Sequence, residues 1–185
     1  MTQVVNYSNT AYTASYALEA VRFTESNFST VTSAGWVSSL SGRQVSISLS
    51  AYLKGEGTYR ITVLAVEDDI HGYQNGGGND YVHNGVVRHA FSAIEGDEYV
   101  AATSNDVAKL TYSGEIPDSC NMDNMRIVVY IQRSMGSKGG LATGNYGGYF
   151  IDNSSTSKIG QTHYIDAEKV SGTEDINKGD DINLQ

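Results

Sequence analysis

Strict alternation of apolar and polar residues marks the clearest element of the chain, Arg43 to Lys54. Val45, Ile47, Leu49, Ala51 and Leu53 fall on one side, and Gln44, Ser46, Ser48, Ser50 and Lys54 on the other. A period of two is the signature of a half-buried strand. Thr58 to Val66 follows after Gly55-Glu56-Gly57 and is apolar at both parities, with Ile61, Val63 and Ala65 against Leu64 and Val66. A strand of that kind has both faces covered, so it is central. The short connection predicts that these two strands pair as an antiparallel hairpin. Met125 to Arg133 alternates as cleanly, with Met125, Ile127, Val129 and Ile131 on one face.

Gly85–Ile94, Tyr99–Thr103, Val107–Tyr112, Tyr149–Asp152 and Thr162–Ala167 read as further strands, and Val4-Val5 and Ala20–Phe23 as short candidates. Ser33–Ser41 breaks the pattern. Trp36, Val37 and Leu40 stand at helical spacing, Ser33 suits a helix cap, and Gly42 suits the position just past a helix end. A short helix is predicted there. Glu67–Asn84 and Ser134–Gly148 read as long glycine-rich loops. After Val170 the chain runs SGTEDINKGDDINLQ, with few apolar anchors. The expected fold is all-β, an antiparallel β-sandwich of Greek-key or jelly-roll type with at most one short helix. Residues 1–170 form its single domain, and 171–185 a polar acidic tail.

Composition agrees with that class. The 185 residues suit one domain, and 20 Gly and 13 Tyr against one Pro fit strands joined by glycine turns. The net charge is −9 and the 12 Lys and Arg are scattered, which argues against nucleic acid and anionic lipid as partners. The single cysteine, Cys120, excludes an internal disulfide and a multi-cysteine zinc site. Apolar runs are too short to cross a bilayer as a helix. Met1-Thr2-Gln3 does not open like a signal peptide. The sequence therefore reads as a cytosolic protein, or as a mature or truncated form of a targeted one.

The richest chemistry lies in VEDDIHGYQNGGGNDYVHNGVVRH, residues 66–89. A metal is one reading, with Asp69, His71 and a second histidine as ligands, or Glu67, Asp69 and Asp80 around calcium. No HExxH occurs. His83 and His89 share a parity, but six strand residues separate them by roughly 20 Å. The other reading is structural. Asp and Asn bond to nearby backbone in turns. Arg88, opposite both histidines by parity, suits a carboxylate among Glu67 to Asp69. The acidic tail cluster (Asp175, Asn177, Asp180, Asp181) starts like a calcium loop but places Asp180 where glycine is needed. Catalytic signatures fail: there is no GxSxG, Ser155 to Lys158 matches SxxK by letters alone, and GSKGGLATG lacks GK[ST]. Tyr73, Tyr81, Tyr146 and Tyr149 flank the two glycine-rich loops. Their rings suit stacking on sugars or gripping peptides, or else fill half-buried sheet edges.

ITVLAVEDDIHGYQNGGGNDYVHNGVVRHAF resembles the hallmark segment of the Omp28-related outer membrane proteins, cell-surface proteins of anaerobic Gram-negative bacteria. The shared pattern is a strand ending in Glu67-Asp68, then Gln74, Tyr81, His83-Asn84 and Val86 to Arg88. Gly35-Trp36 to Leu40 and Val45 to Leu53 extend the resemblance over residues 34–168. Gly85 stands where members often carry histidine, which weakens a histidine metal site. Members often have a lipoprotein signal and a thioredoxin-like domain before this region. The resemblance implies an outer membrane-associated or surface location and a loosely defined role in binding or adhesion.

The resulting expectation is a non-catalytic envelope module. A protein or glycan ligand would meet Tyr73, Tyr81, Tyr146 and Tyr149. A structural clasp would use Glu67, Asp68, Gln74, His83, Asn84 and Arg88. No catalytic residue, metal or cofactor is expected, with calcium as the alternative at the loop. Membrane contact would come only through an anchor outside this sequence, and no oligomeric state is implied. The competing expectations are a metal-dependent hydrolase built on Glu67, Asp69, His71 and His83, and a purely structural support for a thioredoxin-like domain.

Overall fold

The computed structural model describes residues 30–134 and 148–164, together with Leu18 and Arg22. In chain order the strands are β1 (Thr32–Ser41), β2 (Gln44–Leu53), β3 (Gly57–Glu67), β4 (Ile70–Gln74), β5 (Gly78–His83) and β6 (Val86–Ala90). They continue with β7 (Asp97–Ala101), β8 (Asp106–Glu115), β9 (Met125–Ser134), β10 (Tyr149–Lys158) and β11 (Thr162–His163). One sheet has the order β11-β1-β2-β8. The other has the order β10-β9-β3-β6, with β7 also on β3, and β4 and β5 form a separate ribbon. All these pairings are antiparallel.

The two main sheets meet through the side chains that alternation singled out. Val45, Ile47, Leu49, Ala51 and Leu53 of β2 are buried with Tyr59, Ile61, Val63 and Ala65 of β3 and Met125, Ile127, Val129 and Ile131 of β9; Ala34 and Trp36 of β1 join them. Each large member contributes about 1.5–3 kcal/mol by leaving water. Thr62, Leu64 and Val66 on the other face of β3 are buried as well, so β3 is the doubly covered central strand its composition demands. The chain is an antiparallel β-sandwich.

The structure corrects the sequence at several places. Ser33–Ser41 is strand, not helix. β1 pairs with β2 at all ten positions. Trp36 faces the core while Val37 is 49% exposed, so the spacing of 36, 37 and 40 was not a helical face. The turn to β2 is two residues with Gly42 at φ +62, which suits the right-handed twist of a hairpin. β2 and β3 do not form a hairpin. Residues 54–56 carry the chain from one sheet to the other, because β3 has β9 on one side and β6 and β7 on the other. Tyr59 Oη closes this crossing by donating to Gly55 O at 2.9 Å.

The predicted strand 85–94 stops at Ala90. β6 and β7 lie end to end along β3, broken at Phe91–Gly96. Residues 67–84, expected as a loop, contain the β4–β5 hairpin. Arg22 is helical, against the strand read for Ala20–Phe23. Val4-Val5, residues 165–167 and the tail 171–185 lie outside the described residues. Among the described residues no helix is long and apolar enough to cross a membrane.

Candidate functional site

At one end of the sandwich β3 finishes in Glu67, whose parity points it inward and which is 4% exposed. A carboxylate buried that deeply needs a cation and donors. Arg88 Nη1 lies 3.0 Å from Glu67 Oε2. The contact is an ion pair rather than an aligned hydrogen bond. The Asn121 amide donates to Glu67 Oε1 at 2.7 Å, and Arg88 Nη2 donates to Ser119 Oγ at 2.8 Å.

A bulge aims Arg88 there. His89 pairs with Ala65 and Val87 with Val66, so Arg88 is the extra residue between them. A bulge bends its strand and redirects a side chain. Arg88 therefore does not stand opposite His89 as simple parity predicted. His89 reaches across to Gly114 of β8, where even one added carbon would sit 2.3 Å from its Nε2.

The β8–β9 connection, 116–124, is held from the first sheet too. Arg43 donates through Nε to Ile116 O and through Nη2 to Cys120 O, both at 2.8 Å, and also to Pro117 O. Both sheets thus grip the same connection across the end of the sandwich.

Asp68 forms the second half of the clasp. Arg126 donates to it through Nε at 2.7 Å and Nη2 at 3.2 Å, and the Gly85 amide donates to Oδ1 at 2.6 Å. The Arg126 hydrogen bond, with smaller help from Gly85, holds the Asp68 carboxyl below its ordinary range; the same contact raises Arg126. Asp69 turns the chain at φ +59, a left-handed value that Asp tolerates better than most residues. Its amide donates to Asn84 Oδ1 at 3.0 Å. Entry and exit of the hairpin are tied at three successive residues.

Beyond this base the hairpin stands alone: among the described residues neither β4 nor β5 pairs with another strand. Gly76 and Gly78 supply the positive φ of its turn. Tyr81 folds back over the turn, where a side-chain carbon on Gly77 would lie 2.6 Å from its ring. It meets His83 edge-on at 4.9 Å. Tyr73 is 69% and Tyr81 44% exposed. His71 lies between two carboxylates, with Nδ1 2.6 Å from Asp80 Oδ1 and Nε2 3.5 Å from Asp69 Oδ1.

Of the residues singled out in the sequence, Glu67, Asp68, Asn84 and Arg88 come together. Gln74 sits at the hairpin turn, its carbonyl accepting from the Gly77 amide, and His83 lies against Tyr81; neither joins the clasp. Tyr149 is at the opposite end of the sheet, beneath the Arg60 guanidinium at 4.1 Å. Arg60 and Glu67 are seven residues apart on one strand, roughly 23 Å. Tyr146 lies outside the described residues. Among the described residues, Tyr149 therefore does not share a surface with Tyr73 and Tyr81.

The hydrolase and calcium sets also divide, with Glu67 inside the clasp and Asp69, His71, Asp80 and His83 out on the hairpin. Among the described residues no three His, Cys, Asp or Glu are placed to hold a metal ion. Sequence reasoning missed Arg126 and Asn121, whose partners lie 58 and 54 residues away. Arg126 had one local signal, a cation at an outward position beside the strand's first inward residue.

A family model described as outer membrane protein Omp28 matches residues 8–140, which include the clasp and the hairpin. No curated protein matches the chain.

Proposed function

Because this chain belongs to the Omp28 family of outer membrane proteins, we propose that it is a non-catalytic domain of the cell envelope whose β4–β5 hairpin recognises a protein or glycan ligand. The observation that carries this reading is the pairing of an exposed aromatic hairpin with a fixed base. Tyr73 and Tyr81 hold large rings in water, and such rings supply much of the energy of recognition when a partner covers them. The clasp fixes where the hairpin leaves the sandwich, which lowers the ordering cost of binding.

The charged residues at the base are engaged with each other. Glu67 is matched by Arg88 and Asp68 by Arg126, which supports a structural role for them over proton transfer or metal ligation. A surface-facing placement and an adhesive role are part of this proposal. Probing glycan and envelope-protein arrays with the full chain at millimolar ligand tests it. Retention of at least one ligand class is expected, and an empty array on both panels overturns it.

A further inference from the structure

The hairpin carries two histidines, His71 and His83, and His71 is the one whose ring contacts carboxylates on both sides of the ribbon. His71 is on β4 and Asp80 on β5, and their 2.6 Å contact is diagonal, since His71 pairs with Val82. The other ring nitrogen faces Asp69 at 3.5 Å, and Asp69 is the residue whose amide is fixed by Asn84. One imidazole thus links the far strand, its own strand and the hairpin base.

A neutral imidazole carries one N–H and so can donate to only one of the two carboxylates. The imidazolium carries two and can donate to both. We propose that protonation of His71 tightens the β4–β5 hairpin, so that the recognition element is ordered at mildly acidic pH and loosens as pH rises. The inference rests on the reading of the hairpin as that element.

The setting favours such a device. A two-stranded ribbon is marginal by itself, and this one has no third strand among the described residues. A few hydrogen bonds therefore weigh heavily on its order. Asp80 and then Asp69 are the charges acting on His71, and both stabilise its protonated form. The hydrogen bond to Asp80 raises the His71 pKa above its ordinary 6.5, with burial a smaller opposing effect. A histidine raised in this way adds stability that is fully present below 6.5 and lost as pH rises through the higher folded value.

Nuclear magnetic resonance on the full chain without ligand tests the proposal directly. The His71 ring should titrate with a midpoint above 6.5. Backbone order and exchange protection at Gly72, Tyr73 and Val82 should fall with that same midpoint between about pH 5 and pH 8. Asp80→Asn should lower the midpoint, and His71→Gln should remove the pH response while leaving the sandwich signals in place. A midpoint at or below 6.5 overturns the proposal, and so does hairpin order that ignores the titration. Because no ligand is present, either failure is separate from failure of the binding reading.

Discussion

Arg88 is the extra residue of a β-bulge, and its guanidinium lies 3.0 Å from the buried carboxylate of Glu67 on the neighbouring strand. The same device recurs at the other end of the sandwich. Ile151 pairs with Gln132 and Asn153 with Ile131, leaving Asp152 as the extra residue of β10. Asp152 Oδ2 accepts from the Val31 and Thr32 amides at 3.0 and 2.9 Å and from Thr32 Oγ1 at 2.7 Å. Bulges thus supply a charged side chain at each end of the fold.

Arg88→Ala should destabilise the chain by ~3 kcal/mol, because it leaves a carboxylate that is only 6% exposed without its cation. Glu67→Gln should cost less, about 1–2 kcal/mol, since the Asn121 amide keeps an acceptor. Urea unfolding measures both. An Arg88→Ala variant within about 0.5 kcal/mol of the parent would show that the pair is merely a surface contact.

Removing Asp152 should be comparably severe. Asp152→Ala leaves two amides and a hydroxyl without their acceptor and separates β1 from β10, at a cost of ~3 kcal/mol. Hydrogen exchange should show the loss first at Val31 and Thr32. Unchanged protection there would contradict the assignment.

Gly114 is required by a close approach rather than by its backbone angles. Gly114→Ala drives a carbon into the His89 ring and should cost about 1–3 kcal/mol. His89→Ala in the same chain should recover part of that loss, because the obstacle is then gone. A double-mutant cycle that shows simple additivity would place the strain elsewhere.

The Asp68–Arg126 pair predicts acid lability with a definite sign. Asp68 has a folded pKa below its ordinary 3.8. Its contribution is therefore complete above about pH 3.8 and disappears as pH falls through the lower folded value. Against Asp68→Asn, the parent's stability advantage should be constant near neutrality and shrink below pH 3.8. An advantage that does not shrink in acid would rule out the ion pair as its source.

Much of the core was legible because alternation reports burial directly. Val45 to Leu53 and Met125 to Ile131 face inward as their parity requires. What was not legible depended on contacts remote along the chain. β1 looks helical because Val37 and Leu40 are apolar yet sit on the exposed side, and only pairing with β2 decides the matter. The β2–β3 hairpin failed because a short connection does not say whether a chain returns beside itself or crosses to another sheet. The β4–β5 hairpin was masked by glycine and polar residues, which strands tolerate when a turn such as Asn75 to Gly78 brings them together. Asp152 and Thr32 are 120 residues apart, and a bulge shifts parity, so no local pattern revealed that end of the fold, whereas residue type alone pointed to the pairing of Arg88 with Glu67 at the other.

The central claim is that an exposed aromatic hairpin on a clasped base is the recognition element. Its most direct measurement is an array of glycans and envelope proteins probed in parallel with the parent chain and a Tyr73→Ala/Tyr81→Ala variant, with urea midpoints recorded for both. Tyr73 is 69% and Tyr81 44% exposed and neither belongs to the buried core, so the account predicts closely similar midpoints and loss of the bound class in the variant alone. Equal binding by the two proteins, or binding by neither, would contradict it.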